Sequence, residues 1–412
     1  MGRFFTRERF GRPQLAAAAL LMAFLAQASW LVHREFRASG ETIDAGEQLR
    51  LAAGWQQLQG GAIAGAPYPD TRILPLAFYR DDYHGNFDSE HSPLLPLVTA
   101  APLLILPQRM LDSGFSSDWR WLIRIPFLAA GVFLGASLWY VARRLCGNHG
   151  GLLALGLYCF SPAMIQASAV WHTEPEILGA WGWFGTIFTS IAVAHTLYAP
   201  REVVLWNWRR IVLLGVALAI AVGSQFSMIV VVPPALFFLL YLAPIRRGAG
   251  FVIWITACLA GIFLLFASYF FRWHAFAESM RHAVFWGATW HSFMVPGVYA
   301  QVAGLIFRGC AALAMLLPVA LVAYALWPRV RYFGNTAPGL VALLLIILGI
   351  AHPHEAGAGF LLASMPFLLI FVSGVIADLL ETSFRLLIIS CISGLMIAYV
   401  LFDIANLIRV KG

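Results

Sequence analysis

Charge is scarce in this sequence. Of its 412 residues only 11% are Asp, Glu, Lys or Arg, and lysine occurs once, at Lys411. A soluble globular chain carries about 25% charged and about 45–50% apolar residues. Here the apolar share is 60% and the mean hydropathy is +0.78. So few charges cannot solvate a water-facing surface, which excludes a soluble enzyme and a disordered chain. Cysteine is sparse too. Cys146, Cys159, Cys258, Cys310 and Cys391 lie in or beside apolar runs, at spacings that match neither a C-x-x-C site nor a disulfide framework. They read as small apolar packing residues. The net charge of +7 is no nucleic-acid footprint. Its 26 arginines sit in small groups between apolar runs, with no basic stripe interleaved with aromatics. Scattered arginine is how short loops are anchored at a membrane surface. The chain reads as an all-α polytopic integral membrane protein, a single membrane domain over residues 1–412.

What is abundant is long apolar runs. Runs over 15–32, 122–142, 150–167, 177–198, 211–224, 228–244, 251–271, 309–327, 338–351, 360–379 and 386–402 predict about 11 transmembrane helices. The first follows Arg3, Arg7, Arg9 and Arg12, and Ala26-Gln27-Ala28 has the form of a signal-peptidase site. Its length favours a retained first helix over a cleaved signal. Residues 33–121 then hold eleven of the twenty acidic residues and form a large external loop subregion with juxtamembrane, interfacial helices. The apolar stretch Pro93–Pro107 is only fifteen residues long and contains four prolines, so it reads as interfacial or re-entrant. With that stretch not spanning, ten arginines in short loops fall on the cytoplasmic side, against Arg272, Arg281, Arg308, Arg409 and Lys411 outside. A spanning Pro93–Pro107 would reverse the bias.

This topology gathers polar clusters on one external face. Glu41, Asp44 and Glu47 are spaced three apart and share one side of a helix. Carboxylates held where lipid meets water are partly desolvated, which suits a general base, although a solvated helix face has the same pattern. Tyr79-Arg80-Asp81-Asp82-Tyr83-His84 and Asp88-Ser89-Glu90-His91-Ser92-Pro93-Leu94 offer acids and imidazoles to a phosphate-linked substrate or a divalent ion, or make a charged turn. In Trp171-His172-Thr173-Glu174-Pro175-Glu176, Thr173 and Glu176 suit a capping box, which leaves Glu174 without a structural duty. His352-Pro353-His354-Glu355 is followed by glycines that allow close backbone approach, at the rim of a site or in an inert connection. The proline between its histidines rules out the i, i+4 arrangement of metal-binding helices. Glu278, Arg281, His282 and His291 suit an anionic head group, or anchor the interface with Trp273, Trp286 and Trp290.

In their order along the chain these elements resemble the GT-C fold glycosyltransferases that use polyprenyl-phosphate sugars, the group of protein O-mannosyltransferases and aminoarabinose transferases. Asp44–Gly61 resembles that group's external acidic motif, and Glu90-His91-Ser92-Pro93-Leu94 approximates its H-P-P-L. Tyr140–Gly147 matches a helix ending in a basic doublet, Thr173-Glu174 occupies the place of an external T-D, Gly215–Ser227 resembles G-L-A-L-x-x-K, and Gly359–Pro366 resembles R-Y-L-L-P-x-x-P. The departures are Gly46-Glu47 for an Asp-Glu doublet, Glu174 for Asp, Gln225 for a common lysine, and Gly359 for arginine.

The resemblance implies a GT-C-like bundle that transfers a sugar from a polyprenyl-phosphate-linked donor to a glycan, lipid or protein acceptor at the external face of a bacterial inner membrane. It implies catalytic roles for Asp44 or Glu47 and for Glu174. Donor or phosphate binding falls to Arg80, Glu90, His91, Arg281 and His354, and an acceptor or rim position to His172, His352 and Glu355. It assigns no cofactor; a divalent metal is compatible with it, its ligands unknown. The alternatives are an inactive relative and a transporter or flippase of lipid-linked sugars. Against transport, the predicted spans carry almost no charge and show no internal repeat.

Overall fold

A computed structural model describes residues 12–38, 54–55, 58, 89–105, 117–169, 176–198, 208–352, 355–382 and 385–409. The helices, in chain order, are α1 (Arg12–Ala38), α2 (Leu94–Ala100), α3 (Ser117–Cys159), α4 (Pro162–Ala169), α5 (Glu176–Thr196), α6 (Trp208–Ser224) and α7 (Val232–Leu242). They continue with α8 (Arg247–Ser268), α9 (Trp273–His282), α10 (Pro296–Gly309), α11 (Leu313–Leu326), α12 (Phe333–Ala351), α13 (Glu355–Leu379) and α14 (Arg385–Arg409). No strand occurs among the described residues. The protein is an all-α integral membrane protein, as the apolar runs require.

Seven of these helices are long and apolar enough to cross a membrane, and eight spans result if α10 and α11, bent by 107°, count as one. The described residues therefore do not reach the eleven expected, for three local reasons. The runs 122–142 and 150–167 fall largely within α3, which breaks at Gly147. There φ is 73° and ψ is −175°, a combination open essentially to glycine alone. The runs 211–224 and 228–244 become α6, 17 residues, and α7, 11 residues, divided by extended backbone at Gln225. The run 309–327 is one arm of the bent pair. Leu94–Ile105 is a short apolar helical segment, below spanning length.

Contacts divide the chain into two compact units. One comprises residues 1–39, 128–170 and 288–412. Its centre is α13, packed on α12 where Gly349 and Gly357 let the backbones approach; a Cβ on Gly357 would lie 2.3 Å from the His352 carbonyl oxygen. Asn335 is fully buried and donates through Nδ2 to Val330 O at 3.0 Å and to Asp378 Oδ2 at 2.8 Å. In the same unit Phe24 of α1 meets Tyr158 with ring centroids 5.3 Å apart, and Gln27 Nε2 donates to Cys159 O at 3.2 Å. The Ala26–Ala28 stretch thus lies inside a packed helix.

The second unit comprises residues 40–127 and 171–287. Here α5 and α6 meet through small residues, as membrane helices do when no hydrophobic effect drives them together. A Cβ on Gly182 would sit 2.4 Å from Ala221 N. Helix α6 meets α8 the same way, with Gly215 against Ala257 O and Ala260.

The exit from α8 is unusual. Phe270 N–H donates to Ala267 O at 2.9 Å and Phe271 N–H to Phe266 O at 3.3 Å, the paired bonds of a Schellman cap. Glycine usually fills the left-handed position of that cap. Here Phe270 and Phe271 both have positive φ, 51° and 58°. For a residue with a Cβ this costs roughly 1–2 kcal/mol each.

Candidate functional site

In the second unit, helix α6 stops because Gln225 is extended, with φ −158° and ψ 121°. Stopping a helix inside a bundle frees carbonyl and amide groups that must be paired elsewhere. The segment before α2 supplies the partners. Ser92 donates twice to Gly223 O, from its N–H at 3.2 Å and from its Oγ at 2.8 Å. Phe226 N–H donates to Glu90 O at 2.7 Å. On the other side of this segment Val284 N–H donates to Ser89 O at 2.8 Å. Ser92 Oγ also accepts from Leu94 N–H at 3.3 Å, at the start of α2.

Two stretches singled out in the sequence, Glu90–Leu94 and Gln225–Ser227, are therefore laced together. Gly223 permits it, since a Cβ there would meet Leu94 Cδ2 at 2.7 Å. His91 and Ser92 are buried and Glu90 is half-buried. Gln225 and Ser227 are buried beside them, and the Ser227 hydroxyl has no hydrogen-bond partner. Phe226 packs at a tilt against Phe285, with ring centroids 5.6 Å apart, in an apolar cluster that includes Phe276 and Met280 of α9. Arg281 lies on the same helix but is exposed and joins none of these bonds. Its neighbours Glu278 and His282 pair at 3.6 Å across one turn.

In the first unit the connection after α12 is equally specific. His352 is 3% exposed, and its Nδ1–H donates to Leu348 O at 2.9 Å. Its ring packs on Phe360 at 4.9 Å. Burial lowers the imidazole pKa from its ordinary value of 6.5, so His352 is neutral at pH 7. The segment 289–292 lies against this turn, with Thr289 N–H donating to Ala351 O at 2.8 Å. The close approach that the glycines allow is thus helix to helix, at Gly357.

Asp44, Glu47, Arg80, His172, Glu174 and His354 lie outside the described residues, and Glu355 is described in its backbone only. Among the described residues no three His, Cys, Asp or Glu side chains converge as metal ligands. One residue that sequence reasoning passed over is Arg124. It is 1% exposed within a spanning helix, and it is engaged by a further contact. The signal was present in the sequence: an ionisable residue three positions inside the span that begins at Trp121.

Residues 114–273 match the family described as dolichyl-phosphate-mannose-protein mannosyltransferase, which is less than half of the chain. No curated protein matches. Solved structures resemble nearly the whole length. The oligosaccharyltransferase of Archaeoglobus fulgidus, in a complex with Zn and sulfate, aligns with a TM-score of 0.58 at 10% identity over 94% of this chain and 53% of that one. ArnT from Cupriavidus metallidurans, in its apo state, aligns with a TM-score of 0.56 at 15% identity over 90% of this chain and 60% of that one.

The chain has a GT-C fold. ArnT is also known bound to undecaprenyl phosphate, at 14% identity and a TM-score of 0.56. The Archaeoglobus enzyme AglB is known with an inhibitory peptide and a dolichol-phosphate, at 12% identity and a TM-score of 0.57. This chain spans 53–60% of the length of these GT-C proteins. The resemblance first read from the order of motifs is thereby matched in three dimensions.

Proposed function

We propose that this GT-C protein is a membrane glycosyltransferase that moves a sugar from a polyprenyl-phosphate-linked donor to a glycan, lipid or protein acceptor. The observation that carries the reading is the lacing of Glu90–Ser92 to the break after α6, within a fold shared with proteins seen holding lipid phosphates. Buried polar backbone at a helix break is tolerated in a membrane bundle where it is paired or lines a site.

In this reading Asp44 or Glu47 takes the proton from an acceptor hydroxyl or amine. The acceptor atom then attacks the anomeric carbon, and the bond from that carbon to the phosphate oxygen breaks. The electron pair leaves with the polyprenyl phosphate, which needs no separate acid to depart. Arg80 and Arg281 offset the phosphate charge, with Glu90 and His91 shaping the donor side, and Glu174 orients the acceptor with His172 at the rim. Within the other unit, the family resemblance assigns phosphate binding to His354 and a rim position to His352 and Glu355. The neutral state of His352 suits a hydrogen-bonding role there and does not suit a counter-charge to phosphate. Counted over the eleven apolar runs of the sequence, the arginine bias supports an active site on the external face, which in a bacterial inner membrane is periplasmic.

The test is turnover by purified protein in lipid, offered a panel of polyprenyl-phosphate sugars and followed by release of free polyprenyl phosphate. Asp44→Asn, Glu47→Gln and Glu174→Gln are compared with the wild type. Turnover that one first-loop substitution abolishes establishes transfer and names the base. Donor binding with no turnover of any donor favours an inactive relative, and neither binding nor turnover sinks the assignment.

A further inference from the structure

Helix α8 is 22 residues long, about 33 Å, which matches the hydrocarbon thickness of a bilayer of about 30 Å. Its cap at Phe270 and Phe271 therefore falls at the boundary between lipid and water. Glycine would make the same cap without strain, yet two phenylalanines occupy the left-handed positions. Phe271 finds only part of its compensation inside the protein. It touches Phe263 and Phe266, with centroids 5.5 and 5.4 Å away, and is still 54% exposed. Phe270 is 39% exposed, and Trp273 at the start of α9 is 64% exposed. Arg272 between them is exposed as well. Exposed rings in a strained backbone gain nothing from water, whereas aromatic rings beside a basic residue are the usual anchors of a membrane interface.

The other face of α9 is tied to the protein. Phe276 packs against Phe266 and Tyr269 at 5.3 and 5.2 Å, and Tyr269 Oη shares a hydrogen bond with Ser279 Oγ at 2.6 Å. We propose that Phe270, Phe271, Arg272 and Trp273 are a lipid anchor that fixes α9 to the bilayer surface. The rings enter the edge of the hydrocarbon, and the Arg272 guanidinium meets phospholipid phosphate. The bilayer thus repays the strain of the cap. The helix it steadies leads into Val284, which bonds the Ser89–Ser92 segment.

The anchor is tested without any measure of sugar transfer. Benzoylphenylalanine replaces Phe271 in full-length protein reconstituted into vesicles of phosphatidylethanolamine and phosphatidylglycerol. On irradiation, phospholipid adducts are expected by intact mass; crosslinks confined to protein overturn the proposal. A second variant, Phe270→Asn, relieves the strain, because Asn accepts the left-handed region more readily than Phe. If the ring serves only the cap, amide exchange over Trp273–His282 slows or stays unchanged, and the anchor is refuted. If the bilayer holds α9 through this ring, exchange there rises about tenfold while α8 keeps its protection.

Discussion

The hydroxyl of Ser92 donates to the carbonyl of Gly223 at 2.8 Å, across 131 residues of sequence. The same carbonyl also accepts the Ser92 amide at 3.2 Å. One residue thus pairs the end of α6 twice and sets the polar segment Ser89–Ser92 against the break that Gln225 makes.

Removing these contacts separates two effects. Ser92→Ala deletes the hydroxyl bond but leaves the amide bond, so a loss of about 1 kcal/mol is expected. Gly223→Ala drives a methyl group toward Leu94 Cδ2 and Ser92 Oγ, at 2.7 and 3.1 Å. That overpacking is expected to cost more, about 1–3 kcal/mol. Thermal unfolding in lipid ranks the two; equal stability of both variants with the wild type would show that the segment is not held as described.

Two glycines with equal room around them are expected to behave oppositely. A Cβ at Gly147 or at Gly248 meets nothing within 4 Å. Gly147 has φ 73°, so Gly147→Ala is expected to destabilise by about 1–3 kcal/mol. Gly248 has helical backbone within α8, so Gly248→Ala is expected to be neutral or to stabilise by up to about 1 kcal/mol. Melting temperatures of the pair decide it, and a stabilised Gly147→Ala would contradict the break in α3.

His352 makes a pH prediction with a definite sign. Its folded pKa lies below the ordinary 6.5, so below that pH the unfolded chain binds the proton first. Its contribution to stability is complete above pH 6.5 and is lost as the pH falls through the folded value. His352→Asn keeps a donor toward Leu348 O without a titrating ring. Unfolding measured between neutral and mildly acidic pH should show a shallower acid loss for the variant; an identical slope would remove His352 as its source.

The helices were legible because lipid leaves the backbone no alternative. The runs 15–32, 177–198, 251–271 and 386–402 each fall within or close to one spanning helix, α1, α5, α8 and α14. The gaps between runs 122–142 and 150–167 and between 211–224 and 228–244 contain Gly147 and Gln225, where α3 and α6 break. What the runs do not show is the positive-φ backbone at Gly147, or that the stop at Gln225 is paired by partners about 130 residues away. Arg124 escaped notice because a charge near the end of an apolar run reads as a boundary, and only packing reveals it as buried. At Phe270 the sequence argued against the conformation found, since glycine is the expected cap residue.

The sequence by itself determined that this is an all-α membrane protein, with short basic loops and an acid-rich first loop, because composition decides the solvent a chain can live in. It also carried the order of motifs that resembles the GT-C glycosyltransferases. Only the tertiary structure decided that Glu90–Leu94 lies on Gln225–Ser227, and that His352 is buried and neutral. Those facts depend on which backbone groups a break leaves unpaired and which distant residue can reach them. A one-dimensional pattern does not contain that pairing.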